Sequence, residues 1–258
     1  MAVEAQGSAR EHNQPEPGAA VLRELSLVYA GMAAVTVAVG YTGSSLTREY
    51  GHLILAAAFL YTALSFARRK GRTAASYGID LCGLLEAPTD AQGQPEGLSS
   101  TMRRAVPRLF SELGVALLCA LLVFPPFVLL FRLWHGVEGP FTLHPPGAFG
   151  DFMLGQLLVV ALPEEALFRG YFQTRLRDLF PRTVRVLGAE LSPLALVCQA
   201  LLFALLHFGV GLSPARLSVF FPALLFGYLR DRRGGIGAAV WFHAFSNLLS
   251  ELLARGYF

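Results

Sequence analysis

Apolar residues gather in long runs separated by short polar segments, and these runs set the architecture before any motif is considered. The stretch from Leu113 to Phe131 carries no charge and is long enough to cross a hydrocarbon core of about 30 Å. Seven runs are predicted as membrane spans, at residues 22–42, 51–67, 111–131, 149–173, 191–208, 214–230 and 236–254. Pro125 and Pro126 in the third span and Pro222 in the sixth each remove a backbone donor and are expected to kink their helices. Between the second and third runs, residues 71–107 are rich in Gly, Pro, Gln and Ser and too polar to cross, which predicts a loop lying in part on the membrane surface. The fold class is therefore all-α, a polytopic transmembrane helix bundle of about seven spans.

The distribution of basic residues tests that list of spans, because cytoplasmic loops carry an excess of Lys and Arg. With the N-terminus inside, 16 basic residues fall on the cytoplasmic side and 4 outside, and Arg169 lies within the fourth span. Composition agrees: 54% of the residues are hydrophobic and only 15% charged, with a mean hydropathy of +0.50. The net charge of +3 is accounted for by short loops between spans, so no nucleic-acid partner is inferred. Cys82, Cys119 and Cys198 have neither CxxC nor Cys/His ligand spacing, which argues against a disulfide framework or a structural zinc site. Residues 1–20 lack the basic start of a secretory signal and read as a disordered cytoplasmic tail.

Against this apolar background, Leu162-Pro163-Glu164-Glu165-Ala166-Leu167-Phe168-Arg169-Gly170 places two carboxylates and a guanidinium inside a span. A charged side chain at a span's centre costs about 2.5–3.5 kcal/mol on insertion scales, so such groups mark function by default. Glu165 and Arg169 stand at i and i+4, on one face, where one carboxylate is neutralised by an ion pair. Glu164 is left over, about 22 Å into the span at 1.5 Å per residue. A carboxylate without a partner in low dielectric is suited to hold and activate water. Pro163 also frees the carbonyl of Val159 beside it.

Two further polar pairs occur at i, i+4: Phe203 with His207 in the fifth span, and His243 with Asn247 in the seventh. A bundle that buries Glu, His and His/Asn on three spans must bring them together, since each needs a polar partner or a wet cavity. The active site is thus expected between the fourth, fifth and seventh spans. Glu164 and His207 can share a water as nucleophile, while His243 and the Asn247 amide can donate to a developing oxyanion. Those are the parts of amide hydrolysis.

The three elements resemble the EExxxR, FxxxH and HxxxN motifs of the CPBP family, also called the Abi or CAAX protease family, which contains CAAX prenyl endopeptidases and bacteriocin-processing or immunity proteins. The resemblance implies that Glu164 and His207 activate the water, that His243 and Asn247 form the oxyanion site, and that Glu165 and Arg169 organise the helix around them. It covers roughly residues 149–254, expected as the catalytic membrane core. Residues 21–148 would supply the N-terminal membrane helices and match no motif.

Two alternatives stay open at this point. Glu164, His207 and His243 make a plausible three-ligand zinc set, although no HExxH is present and Asn247 suits an oxyanion donor better than a ligand, which favours a cofactor-free glutamic mechanism. A non-proteolytic immunity or scaffold protein, or a carrier, is the other, but the inverted halves of a transporter are not visible and none of Glu164, His207, His243 or Asn247 is lost. The expected partners are the lipid bilayer and a membrane-anchored protein or peptide, in a multi-pass protein of the cell membrane. Removal of a leader or sorting anchor is favoured over prenyl-dependent processing.

Overall fold

Seven helices follow the seven apolar runs: α1 (Gly18–Tyr41), α2 (Ser45–Ala67), α3 (Leu98–His135), α4 (residues 149–179), α5 (Pro193–Gly209), α6 (Phe220–Arg233) and α7 (Gly237–Tyr257). The computed structural model describes residues 16–79, 81–85 and 96–258. The expected tail over 1–15, and residues 80 and 86–95 of the expected loop, lie outside the described residues. The protein is an all-α helical membrane bundle. Among the described residues α1, α2 and α3 are long and apolar enough to cross a membrane by length and composition alone, and α5 is a shorter apolar helix.

Local chemistry sets several helix ends. The Ser44 hydroxyl accepts the Thr47 N–H at 3.1 Å and caps α2. Gly136 after α3 and Gly234 after α6 adopt the left-handed conformation, at φ 60° and 75°, and close the last turns with N–H bonds to Arg132 and Arg230. Pro193 opens α5 at a position whose N–H would have no helical acceptor.

Helix α4 is the irregular one. It is α-helical over Phe149–Leu154, Leu162–Glu165 and Gln173–Leu179, but widens to π-helical turns over Gly155–Ala161 and Ala166–Phe172. The Leu162 N–H bonds to Leu157 and the Gln173 N–H to Phe168, each five residues back. Pro163 has no N–H to give to the turn before it, so the ladder must re-form around a missing rung. Such π turns are rare and frequent at functional sites.

Small residues let the helices approach. Ala63, Ala161, Ala166, Ala195, Ala200 and Ala244 are buried in the larger core, which joins α1, α2, α4 and α5 with one face of α6 and α7. A second core of Ala116, Ala120, Ala238 and Ala239 with Phe226 and Phe242 joins α3, α6 and α7. Lipid tails are as apolar as any side chain, so close backbone approach and polar contacts, more than burial from water, hold such helices together.

Three features depart from the sequence expectations. Helix α3 begins at Leu98, well inside the segment expected as a loop over 71–107, because Thr101, Ala105 and Glu112 recur at helical spacing on one buried face. Pro107 sits within this helix and does not end it. The start of the same segment folds back into the bundle: Ala74, Tyr77 and Ile79 are buried, and Gly78, at φ 70°, accepts the Ile236 N–H at 2.9 Å. Burial pushes the Tyr77 phenol up, against the Arg72 guanidinium 2.9 Å away. Finally, β1 (Val184–Val186) and β2 (Ala189–Leu191) pair as an antiparallel hairpin between α4 and α5. Its turn residues Leu187 and Gly188 both have positive φ, 45° and 81°, which matches the twist of the flanking strands.

One end of the bundle collects the arginines. Arg175 lies 2.5 Å from Glu16, 2.9 Å from Glu24 and 2.5 Å from Asp178. Arg177 reaches Asp231 at 3.2 Å and Arg233 reaches Glu112 at 2.7 Å. Residues assigned to one side by charge counting are therefore neighbours in space.

Candidate active site

The two carboxylates on α4 point to different partners. Glu165 accepts the Arg169 Nη1–H at 3.0 Å, and both side chains are 0% exposed. Arg169 also donates to the Ala223 carbonyl at 3.4 Å. Its guanidinium carbon lies 4.3 Å from the centre of the Phe203 ring and 5.0 Å from that of Phe226, so two aromatic faces complete its surroundings. The ion pair expected at i, i+4 is present, and the phenylalanine of the FxxxH pattern has a physical task under the guanidinium.

Glu165 has a second contact that the sequence did not suggest. Its Oε1 lies 2.8 Å from His243 Nδ1 across the bundle, joining α4 to α7. Because Oε1 is already accepting from Arg169, the carboxylate is the acceptor and His243 Nδ1 carries the proton. His243 also stacks on Phe226 with ring centres 4.9 Å apart and planes 14° from parallel. Ring tilt and tautomer are thus both fixed, and Nε2 is turned toward Glu164.

Glu164 Oε2 is buried and has no hydrogen-bond partner among the described residues. Its nearest polar neighbours are His243 Nε2 at 3.8 Å and His207 Nε2 at 4.0 Å. His207 Nδ1 lies 2.9 Å from the Phe203 carbonyl, which can only accept, so this nitrogen holds the proton and Nε2 presents its lone pair to Glu164. The Phe203 ring lies 4.3 Å from the His207 ring and 6.1 Å from the His243 ring, edge-on to the latter. Three helices therefore turn one carboxylate oxygen and two imidazole nitrogens to a common point.

Asn247, one turn beyond His243, donates from Nδ2 to Gln156 Oε1 at 2.8 Å. Gln156 belongs to the first π turn of α4, so Asn247 ties α7 to α4 a second time. Sequence reasoning missed Gln156, although a lone amide within an apolar run was a usable signal. It also missed Phe226, which nothing distinguishes from the other 19 phenylalanines. His52 was missed as well: with Leu55, Phe59, Val159 and Pro163 it lines a small cleft between α2 and α4 that reaches Glu164.

A Glu–Arg–His triad sealed inside a membrane bundle beside a second buried carboxylate narrows the kinship of the chain. Residues 145–249 match the family model described as type II CAAX prenyl endopeptidase Rce1-like. This segment belongs to the CAAX protease family. The match runs from just before α4 to near the end of α7 and contains Glu164, Glu165, Arg169, Phe203, His207, His243 and Asn247. Comparison with curated proteins finds no match, and neither does comparison with solved structures. CAAX proteases are endopeptidases that act on membrane-anchored substrates within a membrane, and an ionisable cluster walled by lipid-facing helices is the environment such chemistry needs.

Two imidazoles and a carboxylate face one another, but among the described residues no group of three or more His, Cys, Asp or Glu is close enough to hold a metal ion. Ligand atoms of a tetrahedral zinc site lie about 3.3 Å apart given bonds of about 2.0–2.1 Å. The 3.8 and 4.0 Å separations at Glu164 are wider than that.

Proposed function

We propose that the protein is an intramembrane endopeptidase that hydrolyses a peptide bond of a membrane-tethered protein or peptide with a water activated by Glu164 and His207. The observation that carries this reading is the approach of both imidazole Nε2 atoms to the free Oε2 of Glu164. A water bonded to two atoms 4 Å apart at about 2.8 Å each subtends about 90°, a geometry well within reach of its lone pairs and hydrogens. Glu164 takes the proton as the oxygen attacks the carbonyl carbon, and the lone pair of His207 Nε2 orients the second hydrogen. The same carboxyl then returns the proton to the leaving amine, as general acid–base catalysis requires.

The role of His243 is sharpened by its tautomer. With Nδ1–H committed to Glu165, a neutral His243 has only a lone pair on Nε2 and cannot donate to an oxyanion. It can do so only as imidazolium, lying between the carboxylates of Glu165 at 2.8 Å and Glu164 at 3.8 Å. Asn247 supplies the neutral donor of the pair, held by Gln156. Glu165 and Arg169 are positioning residues that act through His243.

The substrate reading remains removal of a leader or anchor from a membrane-tethered chain in the cell membrane, with the N-terminus cytoplasmic, as the 16 to 4 charge asymmetry supports. The metal-independent reading is tested by exhaustive chelation of the purified protein. Activity is expected to survive chelation and to be lost in Glu164→Gln. Loss on chelation with restoration by added zinc would contradict it and return Glu164, His207 and His243 to the role of ligands.

A further inference from the structure

Helix α3 is longer than a membrane requires. Its 38 residues extend about 57 Å, whereas the hydrocarbon core is about 30 Å thick and the whole bilayer with its headgroup layers about 40–45 Å. The excess lies at the N-terminal end, at the arginine-rich end of the bundle. There Leu98, Met102, Val106 and Phe110 recur every fourth residue and all face outward, Leu98 being 78% and Phe110 68% exposed. The opposite face, with Thr101 and Ala105, is buried and packs toward the turn Leu81–Gly83.

The outward stripe does not stop where the span begins. It continues through Leu117, Leu118, Leu121 and Leu122, which are exposed because they face lipid. A row of four large apolar side chains set on the same helix face, and continuous with a lipid-facing surface, is out of place in water. Arg103, Arg104 and Arg108 flank the row on the exposed surface. Arg104 pairs with Glu96, while Arg103 and Arg108 have no ion-pair partner among the described residues.

We infer that residues 98–110 form a membrane-surface arm whose apolar row enters the headgroup boundary and whose arginines bind the phosphates of anionic phospholipids. A tilt of about 40° brings 57 Å of helix within the full bilayer thickness, at the upper end of what transmembrane helices show. Basic residues near an anionic surface each contribute about fivefold in lipid affinity. The inference rests on α3 crossing a membrane and not on the peptidase reading, and its test involves no peptide hydrolysis.

The test uses the full chain in nanodiscs, with Trp134→Phe and Trp241→Phe removing the native indoles and Met102→Trp supplying a reporter. Lipids brominated near the headgroup end of their chains serve as quenchers. Quenching is expected from brominated phosphatidylglycerol above that from brominated phosphatidylcholine at equal content. That preference is expected to fall to none in Arg103→Gln/Arg104→Gln/Arg108→Gln. Val106→Trp is a second reporter should the first fail to fold, and is expected to behave alike. Equal quenching by the two lipids would overturn the anionic selectivity. Absence of bromine quenching at both positions would overturn membrane contact, whether the indole is then open to aqueous acrylamide or shielded by protein.

Discussion

Helices α3 and α4 are opposites in almost every respect. Helix α3 contains the most apolar stretch of the three long candidate spans, stays α-helical over its whole length despite three prolines, and buries almost nothing of that stretch. Helix α4 switches between α and π turns, carries Glu164, Glu165 and Arg169, and is buried nearly throughout from Ala161 to Leu176. In a lipid solvent hydropathy marks what faces the tails, not what forms the core. Chemistry is assembled where hydropathy falls, because only a site enclosed by neighbouring helices can satisfy charges away from water.

The sharpest way to break this contrast is at its most buried charge. Arg169→Met leaves the Glu165 carboxylate without its guanidinium, and removing one partner of a buried pair costs about 3–5 kcal/mol. Denaturation in detergent is expected to show that loss, with a smaller one for Glu165→Gln/Arg169→Met, in which neither charge is left alone. If the single and paired variants were equally unstable, the ion pair would not be what holds α4 in place.

A smaller effect is expected from Gly170→Ala. A Cβ there would stand 2.4 Å from Ile79 Cγ1, in the segment that folds back into the bundle. Overpacking of this kind costs about 1–3 kcal/mol, and trimming the neighbour with Ile79→Ala should recover part of it. The smallest is expected on α3: Leu121→Ala, on the lipid face, should change stability by no more than about 0.5 kcal/mol and leave peptide cleavage unaltered.

The same contrast explains what could be read from the sequence. The seven helices and the gathering of Glu164, His207 and His243 were legible because apolar runs and intramembrane charges are strong signals in a bilayer. The pairing of Glu165 with Arg169 followed from spacing alone. Other features were not legible. The bond from His243 to Glu165 joins residues 78 positions apart, and no local pattern encodes which of two adjacent carboxylates turns toward which imidazole. The early start of α3 was hidden by Pro107 and by the polar residues around it, and the folded segment at Ala74–Ile79 by its glycine and short length. The π turns of α4 depend on how the ladder closes around Pro163, a matter of packing rather than of propensity.

The central claim is that Glu164, rather than the buried charges beside it, carries the hydrolytic step. It is tested most directly by comparing membrane-protein fragments, by mass spectrometry, between cells producing the wild-type protein and cells producing Glu164→Gln at the same level. Loss of a general base costs about 10²–10⁴ in rate, so one or more fragments should be present with the wild type and essentially absent with the variant. The same set of fragments at the same abundance in both would contradict the account.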